Sequence, residues 1–238
     1  MLEFARITAI DPAGPDYSNP RTLRQAQQVV SNAPLGKQIT FKHADVESLI
    51  SSLDCPPSTV FDAVIFCHSL WYFQNREMVD SVFKTLGEAS IPAIYVADSS
   101  TGAISNSDQK AHQLAAQAQI IFYTLKAPDN VKKPSANIRA APDKEFIIAA
   151  TKSAGYEVSR QGIITPEPDY WEGHVEVWHV LSTFANQVRA KSLAPGREAE
   201  ILSYVPFVQK EMDALNKKGI EYARSVEVWW AKFRLSSR

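Results

Sequence analysis

In the first hundred residues of the chain, strand-like and helix-like patterns of apolar and polar positions alternate. Runs rich in apolar and β-branched residues predict strands at residues 6–11, 38–43 and 92–98. Strands that alternate with helices are typical of an α/β fold with a parallel, doubly wound sheet. The predicted helices between these runs cover residues 23–30, 46–53 and 76–89.

The strongest strand pattern lies within Phe61–Phe73. The run from Ala63 to Cys67 contains no charge and no proline, which predicts a strand that is buried on both faces. Ligands of open α/β sheets bind beyond the carboxyl ends of the strands, so we expect the functional site directly after this run. The polar and aromatic residues found there are His68, Ser69, Trp71 and Tyr72.

Beyond Ser99 the pattern becomes mainly helical. Residues 143–154 predict an amphipathic helix, with Asp143 at its N-cap and Gly155 past its end. The alternation in residues 226–235 predicts a last strand, which we expect near the edge of the sheet. The other predicted elements are helices over residues 107–125, 175–191 and 198–224, the last interrupted near Pro206, and a strand over residues 156–165.

Composition and charge argue against several classes of function. The chain has 238 residues, of which 45% are apolar and 21% charged, as in ordinary globular proteins. The formal net charge of −1 gives no electrostatic reason to expect binding to nucleic acid or to an anionic membrane. We find no membrane-spanning run and no signal-peptide core, and the two cysteines, Cys55 and Cys67, form no disulfide framework. We therefore expect a cytoplasmic protein.

Two histidines late in the chain invite a metal-site interpretation. His174 and His179 stand close in sequence to Glu172 and Glu176, but the spacing matches no zinc motif. His174 and Glu176 would also lie on different faces of a helix. We therefore expect no bound metal.

The order of several short phrases resembles the class I S-adenosylmethionine-dependent methyltransferases, and most closely a fungal branch that acts on small molecules. The resemblance covers nearly the whole chain. It implies a Rossmann-like methyltransferase sheet, mostly parallel with helices on both faces, in a single domain over residues 1–238. It also implies cap helices within residues 100–142 and 166–224. The phrases are the strand ending in Asp11, Ala44-Asp45-Val46, Ser69-Leu-Trp-Tyr-Phe73 and Asn137-Ile-Arg139.

The resemblance also implies roles for individual residues. Asp11 would hold the ribose hydroxyls of S-adenosylmethionine, and Asp45 with the backbone of Val46 would meet the adenine amino group. Cys67 and His68 would lie beside the methionine part and the reactive methyl, with His68 as the candidate proton acceptor. The candidate substrate-binding residues are Trp71, Tyr72, His112, Asn137 and Arg139.

Each assignment has a purely structural alternative. Asp11 can be a polar strand end, and Asp45 can be the N-cap of the helix that follows. His68 can be a hydrogen-bonded structural histidine, and His112 fits a solvated position on its helix. Trp71 and Tyr72 suit a core or a pocket wall, and Asn137 and Arg139 can simply hold the loop that contains them.

One part of the family's pattern has no counterpart in the sequence. The first strand and its glycine-rich turn are expected upstream of Ile7, and none of the nine glycines forms a Gly-x-Gly motif after a strand. Three explanations remain open. A second chain supplies the strand, the flanking strands close up into a six-stranded sheet, or the sequence is a shortened form.

Our interpretation favours an enzyme that transfers a methyl group from S-adenosylmethionine to a small organic substrate, such as a secondary metabolite. One alternative keeps the fold and expects a cofactor-independent cyclisation, rearrangement or elimination. Another expects a non-catalytic partner subunit of a second methyltransferase. The expected partners are a small-molecule substrate and either a second copy of the chain, as a homodimer, or another chain that completes the sheet.

Overall fold

The computed structural model describes residues 6–17, 21–99, 102, 106–125 and 138–236. Asn137 lies outside the described residues. The chain divides into two compact units, each of which is described by itself. Of the described residues, the first unit contains 6–17 and 21–60, and the second contains 61–99, 102, 106–125 and 138–236.

The first unit contains a two-stranded parallel sheet and two helices. Strand β1 (Ile7–Asp11) pairs with β2 (Ile39–His43), as the alternating pattern predicts. Helix α1 (Leu23–Ser31) begins with a capping box that Thr22 and Gln25 form. Helix α2 (Val46–Ser51) follows β2 directly, and short 3₁₀ turns cover Gly36–Gln38 and Pro57–Thr59.

The second unit contains a four-stranded mixed sheet. Strands β3 (Val64–Cys67) and β4 (Ala93–Ser99) are parallel, whereas β6 (Val228–Leu235) runs antiparallel to both β4 and β5 (Tyr156–Ile164). The strand order is β3-β4-β6-β5. The last strand therefore lies inside the sheet, one strand from its edge. A single six-stranded sheet is also absent from the described residues, whose strands form two sheets.

Strand β3 is covered on one face, and the prediction of burial on both faces is wrong. Ile65 is 69% exposed and Cys67 is exposed, whereas Phe66 between them is buried. The physical reason is that helix α3 (Arg76–Glu88) packs on the Phe66 face of β3, whereas Ile65 and Cys67 point to the other face. The ring of Phe66 contacts that of Phe83 edge to face at 5.6 Å.

The helices of the second unit largely follow the sequence prediction. Asp143 caps α5 (Lys144–Ser153) by accepting the backbone N–H of Phe146, and Gly155 has φ +90°, as expected past a helix end. The predicted helix over 175–191 begins earlier and contains a π-helical turn at Val180–Phe184. The remaining helices are α4 (Lys110–Thr124), preceded by a 3₁₀ turn at Ser107–Gln109, α6 (Glu172–His179), α7 (Ala185–Arg189), α8 (Pro195–Leu202) and α9 (Tyr204–Lys217).

These five helices share one apolar core. Buried side chains of α4, α6, α7, α8 and α9 pack together, and each large one contributes about 1.5–3 kcal/mol by leaving water. The cap role expected for these segments stays a prediction. No helix among the described residues is both long and apolar enough to cross a membrane.

Candidate functional site

The turn after β3 is the centre of the candidate site. His68 follows the last residue of the strand and has a positive φ of 47°, which is uncommon for a residue with a Cβ atom. Its backbone N–H donates to Ala97 O at 2.8 Å, so the turn continues the pairing of β3 with β4. A 3₁₀ turn at Leu70–Tyr72 then directs Trp71 and Tyr72 to different environments. The Trp71 side chain is buried, whereas Tyr72 is 38% exposed.

Asp98 of β4 holds this turn in place. Its carboxylate accepts the backbone N–H of Leu70 at 2.8 Å and that of Ser99 at 2.9 Å. Asp98 is only 4% exposed, and burial raises the pKa of its carboxyl to about 6, although the two N–H donors favour the charged form. The site therefore has a buried acid that titrates close to neutrality.

His68 faces a carboxylate from helix α6. Its Nδ1 lies 3.8 Å from Oε1 of Glu172, within ion-pair distance and beyond hydrogen-bond distance. The Ser99 hydroxyl donates to the other carboxylate oxygen of Glu172 at 3.1 Å. The ring of Tyr170 lies 6.0 Å from the imidazole. This arrangement places a carboxylate at the Nδ1 side of the imidazole, which suits His68 to a role as proton acceptor.

A second carboxylate lies one helical turn farther along α6. Glu176 accepts a hydrogen bond from the amide of Gln119, and burial raises the pKa of its carboxyl. Burial and the nearby charges of Glu176, Glu172 and Asp98 raise the pKa of the Tyr72 hydroxyl above its ordinary value. Tyr72 therefore stays protonated, as a neutral hydroxyl, at neutral pH.

His112 lies in the interior, which contradicts the expectation of a solvated helix position. Its side chain is fully buried on α4, and its Nδ1 accepts the backbone N–H of Val226 at 3.0 Å. Burial lowers the pKa of the imidazole to about 4. The ring of Trp71 lies 6.2 Å from that of His112. The physical reason for the error is that α4 is enclosed on most sides, so its polar spacing does not mark a solvated face.

Arg139, like Asp98 and His112, is a buried polar residue of the candidate site. Its side chain is 5% exposed, and its backbone N–H donates to Trp71 O at 2.8 Å. Burial raises the pKa of the Tyr123 hydroxyl to about 12, and the positive charge of Arg139 acts in the opposite direction. The structure thus brings Arg139, Trp71 and His112 together, three of the five predicted substrate-binding residues.

The predicted cofactor-binding residues of the first unit have ordinary structural partners. Oδ1 of Asp11 accepts the backbone N–H of Ala13 at 2.7 Å, which closes the turn after β1. Asp45 is the N-cap of α2 and accepts the backbone N–H of Ser48 at 2.7 Å. This hydrogen bond lowers the pKa of the Asp45 carboxyl. Val46 is the first residue of α2, so its backbone N–H stands at the start of the helix.

Sequence reasoning missed Asp98 and Tyr170 and considered Glu172 only as a metal ligand. A signal for Asp98 was present, because it closes an apolar strand at the same sheet edge as His68. No local signal predicts Glu172, which reaches His68 from a helix more than a hundred residues later. Among the described residues, no three His, Cys, Asp or Glu side chains are placed to hold a metal ion.

No protein-family model matches the chain. Two curated proteins of Diaporthe leptostromiformis do, methyltransferase phomM and methyltransferase phomM'. Each is 37% identical to the chain over 250 aligned residues, which cover 95% of this chain. The chain spans 65% of the length of each relative.

A solved structure shows the same fold. The cyclopropane-fatty-acyl-phospholipid synthase-like protein of Lactobacillus casei ATCC 334 aligns with a TM-score of 0.73 over 96% of this chain and 75% of its own. Its sequence identity of 22% makes this a similarity of fold alone. The chain is thus similar in sequence to two methyltransferases, and its fold has a Rossmann-like α/β architecture, as the resemblance implied.

Proposed function

We propose that the chain transfers a methyl group from S-adenosylmethionine to a small organic substrate. The observation that carries this proposal is the 37% identity to two methyltransferases over nearly all of the chain. The Rossmann-like fold and the polar cluster beyond the carboxyl ends of β3 and β4 support it. A role in fungal secondary metabolism, a cytoplasmic location, and a homodimer or a partner chain stay predictions.

His68 is the proposed proton acceptor of the reaction. S-adenosylmethionine supplies an electrophilic methyl group. The protein must align the nucleophile of the substrate with it and remove the proton that the nucleophile carries. His68 is suited to this role because the carboxylate of Glu172 lies at its Nδ1 side, which leaves Nε2 for the substrate. Tyr72, a neutral and half-exposed hydroxyl beside this group, is the proposed wall of the substrate pocket.

Cys67 is the proposed neighbour of the methionine part. It ends β3 with its side chain on the exposed face, and it is in no disulfide. It directly precedes His68, so a group that rests on Cys67 lies next to the proposed proton acceptor. The strained backbone at His68 fits this proposal, because such conformations cluster at functional sites.

The first unit contains the residues that we propose for the ribose and the adenine. Asp11 has one carboxylate oxygen engaged by Ala13, and its other oxygen has no hydrogen-bond partner among the described residues. A carboxylate oxygen of this kind can accept a ribose hydroxyl. Asp45 and the backbone of Val46 are proposed for the adenine amino group, in addition to the cap that Asp45 forms.

Calorimetric titration of the purified chain tests the proposal. S-adenosylmethionine and S-adenosylhomocysteine should each bind with a dissociation constant on the order of micromolar, about −8 kcal/mol. The variant Glu47→Gln, an exposed change in the first turn of α2, should bind equally well. A folded chain that binds neither compound would overturn the proposal and direct attention to cofactor-free chemistry or to a partner subunit.

A further inference from the structure

The sheet of the second unit has an open face on which cationic side chains from two neighbouring strands lie together. Arg160 of β5 stands opposite Lys232 of β6, and Arg234 follows on the same face two residues later. Arg160 and Arg234 are exposed, and Lys232 is half-buried. The pairing of Arg160 with Lys232 puts two like charges directly opposite each other, which destabilises a sheet.

A β-bulge in β5 produces this like-charge pair. Val158 pairs with Phe233, and the preceding residue of β6, Lys232, pairs with Arg160 and not with Ser159. In a regular strand the register would place Ser159 opposite Lys232, without a conflict of charge. Bulges re-aim side chains and are common next to functional sites. The extra residue in β5 therefore brings a second cation onto the open face.

No carboxylate among the described residues forms an ion pair with these cations. Glu157 stands opposite Arg234 in the register, but the two side chains are not within ion-pair distance. The guanidinium of Arg160 has no hydrogen-bond acceptor in the described part of the chain. The ammonium of Lys232 lies 5.0 Å from the centre of the Tyr95 ring, a cation–π contact that leaves its N–H donors available.

Two aromatic side chains supply the apolar part of the same surface. Trp230 lies on the same face of β6 as Lys232 and stands opposite Gly162. A Cβ atom at Gly162 would come within 2.8 Å of Trp230 Nε1, so the glycine leaves room for the indole to lie against the sheet. The groove between Trp230, Tyr95 and the three cations has a volume of about 600 Å³. This volume falls in the range of small-molecule sites, about 300–1,000 Å³.

We propose that Arg160, Lys232 and Arg234 bind the phosphate group of an organic phosphate, at a site that methyl transfer does not use. A phosphate carries nearly two negative charges and three acceptor oxygens, so it can receive arginine and lysine donors together. A carboxylate carries one charge and matches three cations less well. The rings of Tyr95 and Trp230 offer an apolar surface to the organic part of the molecule. The formal net charge of −1 makes this cationic surface local, which favours a small ligand over a long polyanion.

Nuclear magnetic resonance of the ¹⁵N-labelled full chain tests this proposal with phenyl phosphate as the probe. The five tryptophans give five indole N–H signals, and the signal lost in Trp230→Phe belongs to Trp230. In about 0.15 M salt, which screens non-specific attraction, phenyl phosphate should shift this signal saturably. Phenol, which has the ring without the phosphate, should bind at least about tenfold more weakly. The Trp229 indole, which donates to Gln161 Oε1, is an internal control that should not move.

Two variants and a charge-matched control separate the site from a general effect of charge. Arg160→Gln should weaken phenyl phosphate binding at least about tenfold. It should also raise the Tm of the ligand-free chain by about 1–3 °C, because it removes the like-charge pair with Lys232. Arg234→Gln should weaken binding without raising the Tm, because Arg234 stands opposite Glu157. Arg197→Gln removes an exposed charge from α8 and should leave binding unchanged.

Several outcomes would overturn the proposal. They are the absence of a Trp230 shift with phenyl phosphate, phenol binding as tight as that of phenyl phosphate, and equal weakening by Arg160→Gln and Arg197→Gln. Displacement of phenyl phosphate by S-adenosylhomocysteine would also overturn it, because the groove would then belong to the cofactor site.

A second arm of the experiment identifies the source of the phosphate, since soluble esters and lipid head groups share this chemistry. Vesicles that contain phosphatidic acid are added to the wild-type chain and to Arg160→Gln. Vesicle binding that the variant abolishes assigns the phosphate to a lipid. Binding of phenyl phosphate without binding to vesicles assigns the groove to a soluble organic phosphate.

Discussion

The carboxylate of Asp98 accepts the backbone N–H of Leu70 at 2.8 Å, inside the protein. This hydrogen bond connects the end of β4 to the turn that follows β3. The same turn carries His68, Trp71 and Tyr72, so one buried acid fixes the backbone of all three candidate residues. Burial of the charged Asp98 carboxylate opposes folding, so the free energy of unfolding should depend on pH.

The first prediction concerns the pH dependence of the free energy of unfolding in the wild-type protein and in Asp98→Asn. Because the pKa of Asp98 is raised from 3.8 to about 6, the native state binds more protons than the unfolded state between these values. The contribution of Asp98 to the free energy of unfolding is therefore fully present below about pH 4 and decreases as the pH rises to about 6. The decrease is on the order of 3 kcal/mol. Asp98→Asn does not titrate in this range, so its free energy of unfolding should not show this decrease.

Urea unfolding at several pH values measures the difference between the two proteins. The variant loses one acceptor, so it has a constant destabilisation of about 1–3 kcal/mol that does not depend on pH. Relative to this offset, the wild-type protein should lose stability as the pH rises. A difference between the two curves that is flat from about pH 4 to about pH 7 would show that the Asp98 pKa is ordinary.

The second prediction has the opposite sign and concerns His112→Asn. The imidazole pKa is lowered from 6.5 to about 4, so the unfolded state binds more protons in this range. The stability that His112 contributes is present above about pH 6.5 and is lost as the pH falls to about 4, by on the order of 3 kcal/mol. His112→Asn keeps the acceptor for Val226 and cannot take up a proton, so it should not show this loss. Equal pH slopes in the two proteins would contradict a neutral, buried His112.

The sequence predicted the local structure of the site better than its three-dimensional surroundings. The strand before His68 and the N-cap of Asp143 follow from local rules, and both are observed. The burial of β3 did not follow, because a continuous apolar run cannot reveal that only one face of the strand is covered.

The same limit explains His112 and Glu172. A histidine on an Ala- and Gln-rich helix has no local mark of burial, and its burial depends on helices later in the chain. The approach of Glu172 to His68 is likewise a tertiary contact that no spacing encodes. The candidate residues in the turn after β3 were therefore found, whereas the contact of Glu172 with His68 and the burial of His112 were not predicted.

The third prediction concerns the backbone strain at His68. A φ of 47° places this residue in the left-handed region, which costs an L-amino acid about 1–2 kcal/mol and glycine little. His68→Gly should therefore be more stable than His68→Ala by about 1 kcal/mol, as measured by urea unfolding. The control pair is Asp80→Gly and Asp80→Ala in the exposed face of α3, where glycine should be the less stable by about 1 kcal/mol. The same sign in both pairs would mean that His68 is not strained.

The last prediction tests the ribose assignment through two variants of Asp11. Asp11→Asn keeps an oxygen for the Ala13 N–H and replaces the second carboxylate oxygen with a donor, which cannot accept a ribose hydroxyl. Asp11→Ala removes both oxygens. Each variant should weaken S-adenosylhomocysteine binding about tenfold or more in calorimetry, but only Asp11→Ala should also lose about 1 kcal/mol of stability. Asp16→Asn, an exposed carboxylate change nearby, should leave the affinity unaltered. If Asp11→Asn binds as tightly as the wild-type chain, Asp11 only closes the turn after β1.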